Sequence, residues 1–304
     1  MTSALVRKLS LLCLGLSCSA LGLSFSAAVA DAGDLELASV SAVAVDVRDG
    51  TTLLAQNADL VLPIASITKV MTALVVLESE EDLDEWLTIQ DWDRQQAKNA
   101  YSRIRVHSQA RRRDLLRIAL MSSENRAAFN LAAHTPGGQL AFVDAMNRKA
   151  SALGMAATRF SDPTGLELSN VSTAADLARL VVAVSQHALI REYSTTRQYS
   201  VGFQKPRYRL GYGNTNPLTA SSRWQVALTK TGYLTEAGRC LVMISPMGDR
   251  LVGVVLLNSL GTRSPLGDAG RIKRYLESGT RGRVAPVARE HRIRVLEQLH
   301  GGED

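Results

Sequence analysis

The sequence predicts an α/β fold of the α+β type, an antiparallel sheet covered by helices with an all-α subdomain inserted between its strands. Three observations carry this: a strand-turn-strand pattern over residues 38–58, helical spacing from about 82 to 190, and three strand-like apolar runs between 225 and 257.

The elements follow in order. Arg7 and Lys8 precede an apolar run over residues 9–23, and Ala28-Val29-Ala30 then offers small residues at the spacing of a cleavage site. This reads as a signal peptide over residues 1–30; the run is shorter than the roughly 20 residues a membrane span needs, so no membrane anchor is expected after its removal. Residues 31–278 are expected to form one domain. Val40, Ala42, Val43, Val45 and Val47, then Asp49-Gly50, then Thr52-Leu53-Leu54 predict a hairpin. Ile67, Val70, Met71, Leu74 and Leu77 recur at helical spacing and predict a buried helix starting near Ser66.

The insertion, about 82–190, carries candidate helices at 112–122, 124–133, 138–153 and 173–186. Ser172-Thr173 suits a helix N-terminus, and Gly137-Gly138 and Gly154 punctuate the ends of their neighbours. A polar, aromatic-containing stretch over 195–223 shows no regular element. Strands are expected at 225–229, 239–245 and 251–257, whose continuous apolar character suits central strands of a covered sheet. A helix near 268–277 closes the domain, and the basic, polar residues 279–304 are expected to be loosely ordered.

Composition narrows the chemistry. The 304 residues are 46% hydrophobic and 21% charged, ordinary for a globular chain, and the formal charge is +6. That mild bias suits an acidic polymer such as cell wall as readily as nucleic acid. Cys13 and Cys18 lie in the leader, so Cys240 stands alone in the mature chain and no internal disulfide is possible; its apolar setting marks a small buried hydrophobe. The five histidines, at 107, 134, 187, 291 and 300, show no metal-ligand spacing, and no metal is expected.

Three motifs occur once each: Ser66-Ile67-Thr68-Lys69, Ser123-Glu124-Asn125 and Lys230-Thr231-Gly232. Each alone is weak, readable as a helix cap, a solvated lysine or a turn. Together they meet the required context, the first opening a helix, the second starting a helix of the insertion, the third ending a strand. Ser66 and Lys69 are three residues apart on a helix and share a face, so an amine can take the proton of a hydroxyl that is otherwise a poor nucleophile. Burial and a nearby Lys230 would favour the neutral amine. Ser123 can relay a proton to a leaving amine, and Asn125 can bond a substrate amide and Lys69. Lys230 and Thr231 would bind a carboxylate, and Gly232 would let an extended peptide lie against the strand edge. Tyr212-Gly213-Asn214 formally matches a variant of the middle motif but falls outside the insertion and reads as a turn.

On these motifs, with Pro63-Ile64-Ala65 before the first, Leu120-Met121-Ser122 before the second, Asp162-Pro163-Thr164-Gly165-Leu166, and Leu228-Thr229 before the third, the chain resembles the D-alanyl-D-alanine carboxypeptidase and endopeptidase family of low-molecular-mass penicillin-binding proteins, over about 35–278. Its endopeptidase members are the nearer likeness. The resemblance implies a β-lactamase/transpeptidase-like fold, an acyl-enzyme on Ser66, and an oxyanion hole from the amides of Ser66 and Tyr233. It also implies peptidoglycan peptides as substrate, β-lactams as inhibitors, no cofactor, no nucleic-acid partner, and a periplasmic location. Arg263 is the positional match to an arginine that assists the substrate carboxylate in some relatives. Two rivals remain: a serine β-lactamase with Glu167 as deacylating base beside Asn170, at a spacing that departs from the Glu-x-x-x-Asn form, and a silent wall-binding scaffold.

Overall fold

The structure, a computed structural model, describes residues 35–92 and 100–300. The expected signal peptide lies outside the described residues.

The chain opens with β1 (Ser41–Asp46) and β2 (Thr52–Gln56), joined through Gly50 at φ +76°, as the Asp-Gly pair predicts. A short strand β3 (Leu62–Pro63) and a 3-10 turn (Ala65–Ile67) lead into α1 (Thr68–Glu78). The insertion begins with a ribbon of β4 (Trp86–Thr88) and β5 (Gln109–Arg111), then α2 (Arg112–Met121), α3 (Asn125–Ala133) and α4 (Gly138–Ala152). Glu124 caps α3 by accepting the Ala127 amide at 2.6 Å. The short β6 (Val171–Ser172) pairs with β3, and α5 (Ala174–Val184) follows, capped by Thr173 on the Asp176 amide.

Next come α6 (Ala188–Thr195), β7 (Gln198–Phe203) and β8 (Tyr208–Gly213). The chain ends with β9 (Leu228–Leu234), β10 (Gly238–Met247), β11 (Arg250–Ser259), α7 (Ser264–Ser278) and α8 (Pro286–His300). The main sheet runs β2-β1-β11-β10-β9 with antiparallel neighbours, so β9 is an edge. Its two faces feed two cores. Val43, Val45, Val242, Ile244, Val255 and Leu257 pack with the helices of the insertion, α1 and α5, and Ala42, Ala44, Leu241, Met243, Val254 and Leu256 pack with Ala269 and Ile272 of α7. Burial on both faces explains why these strands read as unbroken apolar runs.

Four expectations need correction. The strand expected at 225–229 runs Leu228–Leu234 and contains Lys230-Thr231-Gly232 rather than ending before them, because pairing with β10 outweighs the poor strand propensity of Gly and Lys. The stretch 195–223 holds the β7–β8 hairpin, in which Tyr199, Val201 and Phe203 face Tyr212, Leu210 and Tyr208. Tyr212 and Gly213 therefore belong to a strand, not a turn. Residues 286–300 of the tail are not loose, since α8 is docked on residues 36–38. Arg289 makes a two-pronged pair with Glu36 (2.5 and 2.7 Å), Arg292 donates to the Leu37 carbonyl at 2.6 Å, and Val284 and Ala288 bury against Ala38. Pro286 suits a first helical turn, but the partner surface lies more than 200 residues away in sequence.

Candidate active site

Ser66 sits in the 3-10 turn ahead of α1, with Lys69 in the first turn of that helix. The turn is held from below. Ala65 adopts φ +47°, its carbonyl accepts the Thr68 hydroxyl at 2.8 Å, and Gly165 lies so close that a Cβ there would stand 2.0 Å from the Ala65 oxygen. The loop that carries Gly165 is organised by buried Asp162, which accepts the amides of Thr164, Gly165 and Glu167 and the Thr164 hydroxyl. Fully buried Asn170 ties the loop to Thr68 through its Nδ2 (3.2 Å) and accepts the amide of Ser161 at 2.6 Å.

Lys69 is 1% exposed. Its Nζ lies 2.9 Å from Ser66 Oγ, 2.7 Å from Asn125 Oδ1 and 2.5 Å from the Thr164 carbonyl. Burial pushes its pKa down to about 7, against the opposing pull of the Asp162 and Glu124 carboxylates. Lys230, equally buried, donates to Ser123 Oγ at 2.9 Å and to the Thr231 carbonyl at 2.7 Å, and burial together with the charge of Lys69 holds it well below the usual lysine range. Ser123 itself stands at φ +61° between α2 and α3, a strained backbone that turns its side chain toward β9.

The free edge of β9 faces this group. Thr229 donates its amide off the edge to Ser194 Oγ rather than to β10, and alternation along the strand sends the amides of Thr231 and Tyr233 the same way. A Cβ on Gly232 would meet the Ile64 carbonyl at 3.1 Å and the Ser66 amide at 3.2 Å, so β9 passes the Ser66 turn at a separation only glycine accommodates easily. Thr231 Oγ1 reaches Thr215 Oγ1 at 2.6 Å.

A cavity of about 730 Å³ opens over these groups, lined by Ser66, Ser123, Asn125, Thr231, Gly232, Tyr233 and Arg263 among others, with no Asp or Glu on its wall among the described residues. Lys69 and Lys230 stand behind it as buried supports. Every residue singled out from the motifs thus converges on one cleft. Sequence reasoning missed Thr164, whose carbonyl holds Lys69, and also Asp162, Thr215 and Arg239; the Asp162–Gly165 segment was visible but carried no assigned role. Glu167 lines a different cavity, with Trp92, Gln139 and Asp144, and Asn170 is committed to the loop, so neither faces Ser66. Tyr212 is buried under Arg103, whose guanidinium lies 5.0 Å from its ring centre, and Asn214 donates to the carbonyls of Ser194 and Thr196. No helix among the described residues is long and apolar enough to cross a membrane.

Comparison with known proteins gives the following. The family described as D-alanyl-D-alanine carboxypeptidase matches residues 26–260. A D-alanyl-D-alanine endopeptidase of Pseudomonas aeruginosa is 50% identical over 85% of this chain and 83% of that protein. One of Escherichia coli is 45% identical over 86% of this chain and 84% of that protein. Among solved structures, a Streptomyces DD-transpeptidase superposes with a TM-score of 0.73 at 29% identity, over 79% of this chain and 97% of that one. An ampicillin-bound penicillin-binding protein of Listeria monocytogenes gives 0.68 at 29% identity, over 80% and 98%.

Proposed function

We propose, for a chain that belongs to the D-alanyl-D-alanine carboxypeptidase family, a serine-type D,D-endopeptidase that hydrolyses D-alanyl cross-links in peptidoglycan through an acyl-enzyme on Ser66. The observation that carries the reading is the contact set of Lys69. A neutral amine has two N–H donors and one lone pair. Asn125 Oδ1 and the Thr164 carbonyl can only accept, so they take the two N–H groups, and the lone pair is left for the Ser66 hydroxyl at 2.9 Å. A pKa near 7 keeps that neutral form populated at the working pH.

Acylation then runs as follows. Ser66 Oγ attacks the D-Ala carbonyl carbon while its proton passes to Lys69 Nζ, and the carbonyl oxygen becomes an oxyanion facing the amides of Ser66 and Tyr233. As the C–N bond breaks, Ser123 delivers a proton to the leaving amine and is resupplied by Lys230. Water afterwards hydrolyses the ester and frees Ser66. A charge on Lys69 disfavours a second charge on Lys230. A substrate carboxylate at Lys230 and Thr231 favours the proton on Lys230, which leaves Lys69 neutral when substrate is bound. Arg263, on the same cavity wall, is a further cation for that carboxylate.

The same cleft admits a β-lactam as a carbonyl electrophile, which supports penicillin sensitivity. Arg7, Lys8 and the apolar run after them support export to the periplasm, where the polymer lies. Carboxypeptidase action on uncross-linked stems differs only in its leaving group, a free D-Ala. Incubation of the mature protein with purified cross-linked and monomeric muropeptides separates the two: the reading expects cross-linked dimers to be converted to monomers. Release of free D-Ala from monomers, with dimers intact, would overturn it.

A further inference from the structure

The pairing of β9 with β10 sets Tyr233 opposite Arg239 and Thr231 opposite Leu241, and the pairing of β10 with β11 sets Arg239 opposite Ser259. These four side chains of β9 and β10 share the face of the sheet turned toward α7. The register brings Tyr233 and Arg239 together on the wall of the cavity that Ser66 also lines. There the guanidinium carbon of Arg239 stands 3.7 Å from the centre of the Tyr233 ring. Such stacking fixes the direction of the cation without neutralising it. Cys240, Leu241, Pro265 and Leu266 line the same cavity, and among the described residues no carboxylate lines it to cancel the charge of Arg239. Low-dielectric walls of one sign concentrate an anionic ligand. Lys230, Thr231 and Arg263 already serve the carboxylate on the leaving side, so the charge of Arg239 exceeds what that one group uses.

We propose that Arg239, held against the Tyr233 ring, is a specificity-determining residue that selects stem peptides bearing a second free carboxylate, on the residue adjoining the scissile D-alanyl unit, over stems in which that group is a carboxamide. The proposal rests on the peptidase reading above and names the substrate class of the same cleft. A carboxylate accepts two parallel N–H bonds from a guanidinium and carries a full charge, whereas a carboxamide offers one oxygen and no charge. Because Tyr233 follows Gly232, whose Cβ position lies 3.2 Å from the Ser66 amide, a carboxylate at Arg239 would fix the peptide close to the reacting carbonyl.

The test is a pair of synthetic D-alanyl peptides, identical except for a free carboxylate or a carboxamide on the residue next to the D-alanyl unit, assayed with the unsubstituted protein and with Arg239→Gln. The unsubstituted protein is expected to favour the free acid in kcat/KM by about tenfold, mainly through KM, as for one charge-assisted bond at a solvent-accessible site, and to lose part of that preference as salt is raised. Arg239→Gln is expected to bring the acid-to-amide ratio close to one. A merely structural role would lower both rates alike and leave the ratio in place. A ratio near one in the unsubstituted protein, or a ratio that Arg239→Gln does not alter, overturns the proposal. Failure of the peptidase reading itself looks different: neither peptide is turned over and penicillin leaves Ser66 unmodified.

Discussion

Gly165→Ala tests whether the loop under the Ser66 turn sets the geometry of the nucleophile. At φ +80° an L-residue costs about 1–2 kcal/mol in backbone strain. The added Cβ would lie 2.0 Å from the Ala65 oxygen, 2.5 Å from its carbon and 2.9 Å from Thr68 Oγ1. Two of those three atoms are backbone and cannot rotate away, so the Ala65 peptide must shift by more than an ångström, and overpacking of this kind adds about 1–3 kcal/mol. Ser66 is the next residue, and a displacement of about 1 Å at a reacting atom is enough for roughly a hundredfold loss of rate. Gly138→Ala is the matched control, with φ +69° but no atom within 4 Å of its Cβ: it carries the backbone strain alone, at a distant helix start. The assay is the second-order rate of acylation by a fluorescent penicillin, with thermal unfolding measured in parallel. Gly165→Ala should lose about 2–5 kcal/mol of stability and at least a hundredfold in acylation, while Gly138→Ala should acylate normally. A folded Gly165→Ala protein that acylates at the original rate would refute the reasoning.

Four further outcomes follow from the same geometry. Because burial pushes Lys69 down to about 7, and only its neutral form can accept the Ser66 proton, the acylation rate should rise about tenfold per pH unit below 7 and level off above it; a flat profile between pH 5 and 9 would exclude Lys69 as the base. Lys69→Met, which takes the donor from Asn125 Oδ1 and the Thr164 carbonyl, should lose some stability and, as folded protein, acylate at least a thousandfold more slowly in the same penicillin assay. Glu167→Ala, altering a side chain on a separate cavity, should leave the lifetime of the penicilloyl adduct as it was, whereas a lengthened lifetime would revive the β-lactamase reading. Removal of residues 286–304 exposes Ala38 and breaks the Glu36–Arg289 pair, so it should cost about 2 kcal/mol and lower the melting temperature by several degrees without slowing acylation.

What the sequence disclosed, and what it did not, follows from the range of the interactions. The hairpin at Asp49-Gly50, the helices from α2 to α5 and the apolar strands β10 and β11 were legible because turn chemistry and periodicity are local. The motifs stood out because Ser66 and Lys69 need only one helical turn to meet. The boundaries of β9 were misread because Lys230 and Gly232 are poor strand formers whose state is decided by β10 across the sheet. The β7–β8 hairpin was hidden among polar residues, though Tyr199, Val201 and Phe203 do alternate. The docking of α8 on Glu36 and the stacking of Arg239 on Tyr233 depend on tertiary register, which no local pattern encodes. Likewise, the Thr164 carbonyl on Lys69 is a backbone contact, invisible in the identity of any side chain.

The most direct test of the account is the covalent chemistry of Ser66. The mature protein is incubated with a labelled penicillin, digested, and the adduct located by mass spectrometry. One acyl group on the peptide that contains Ser66, absent from folded Ser66→Ala, is the predicted result. An adduct on another residue, or none on a protein shown to be folded, would contradict it.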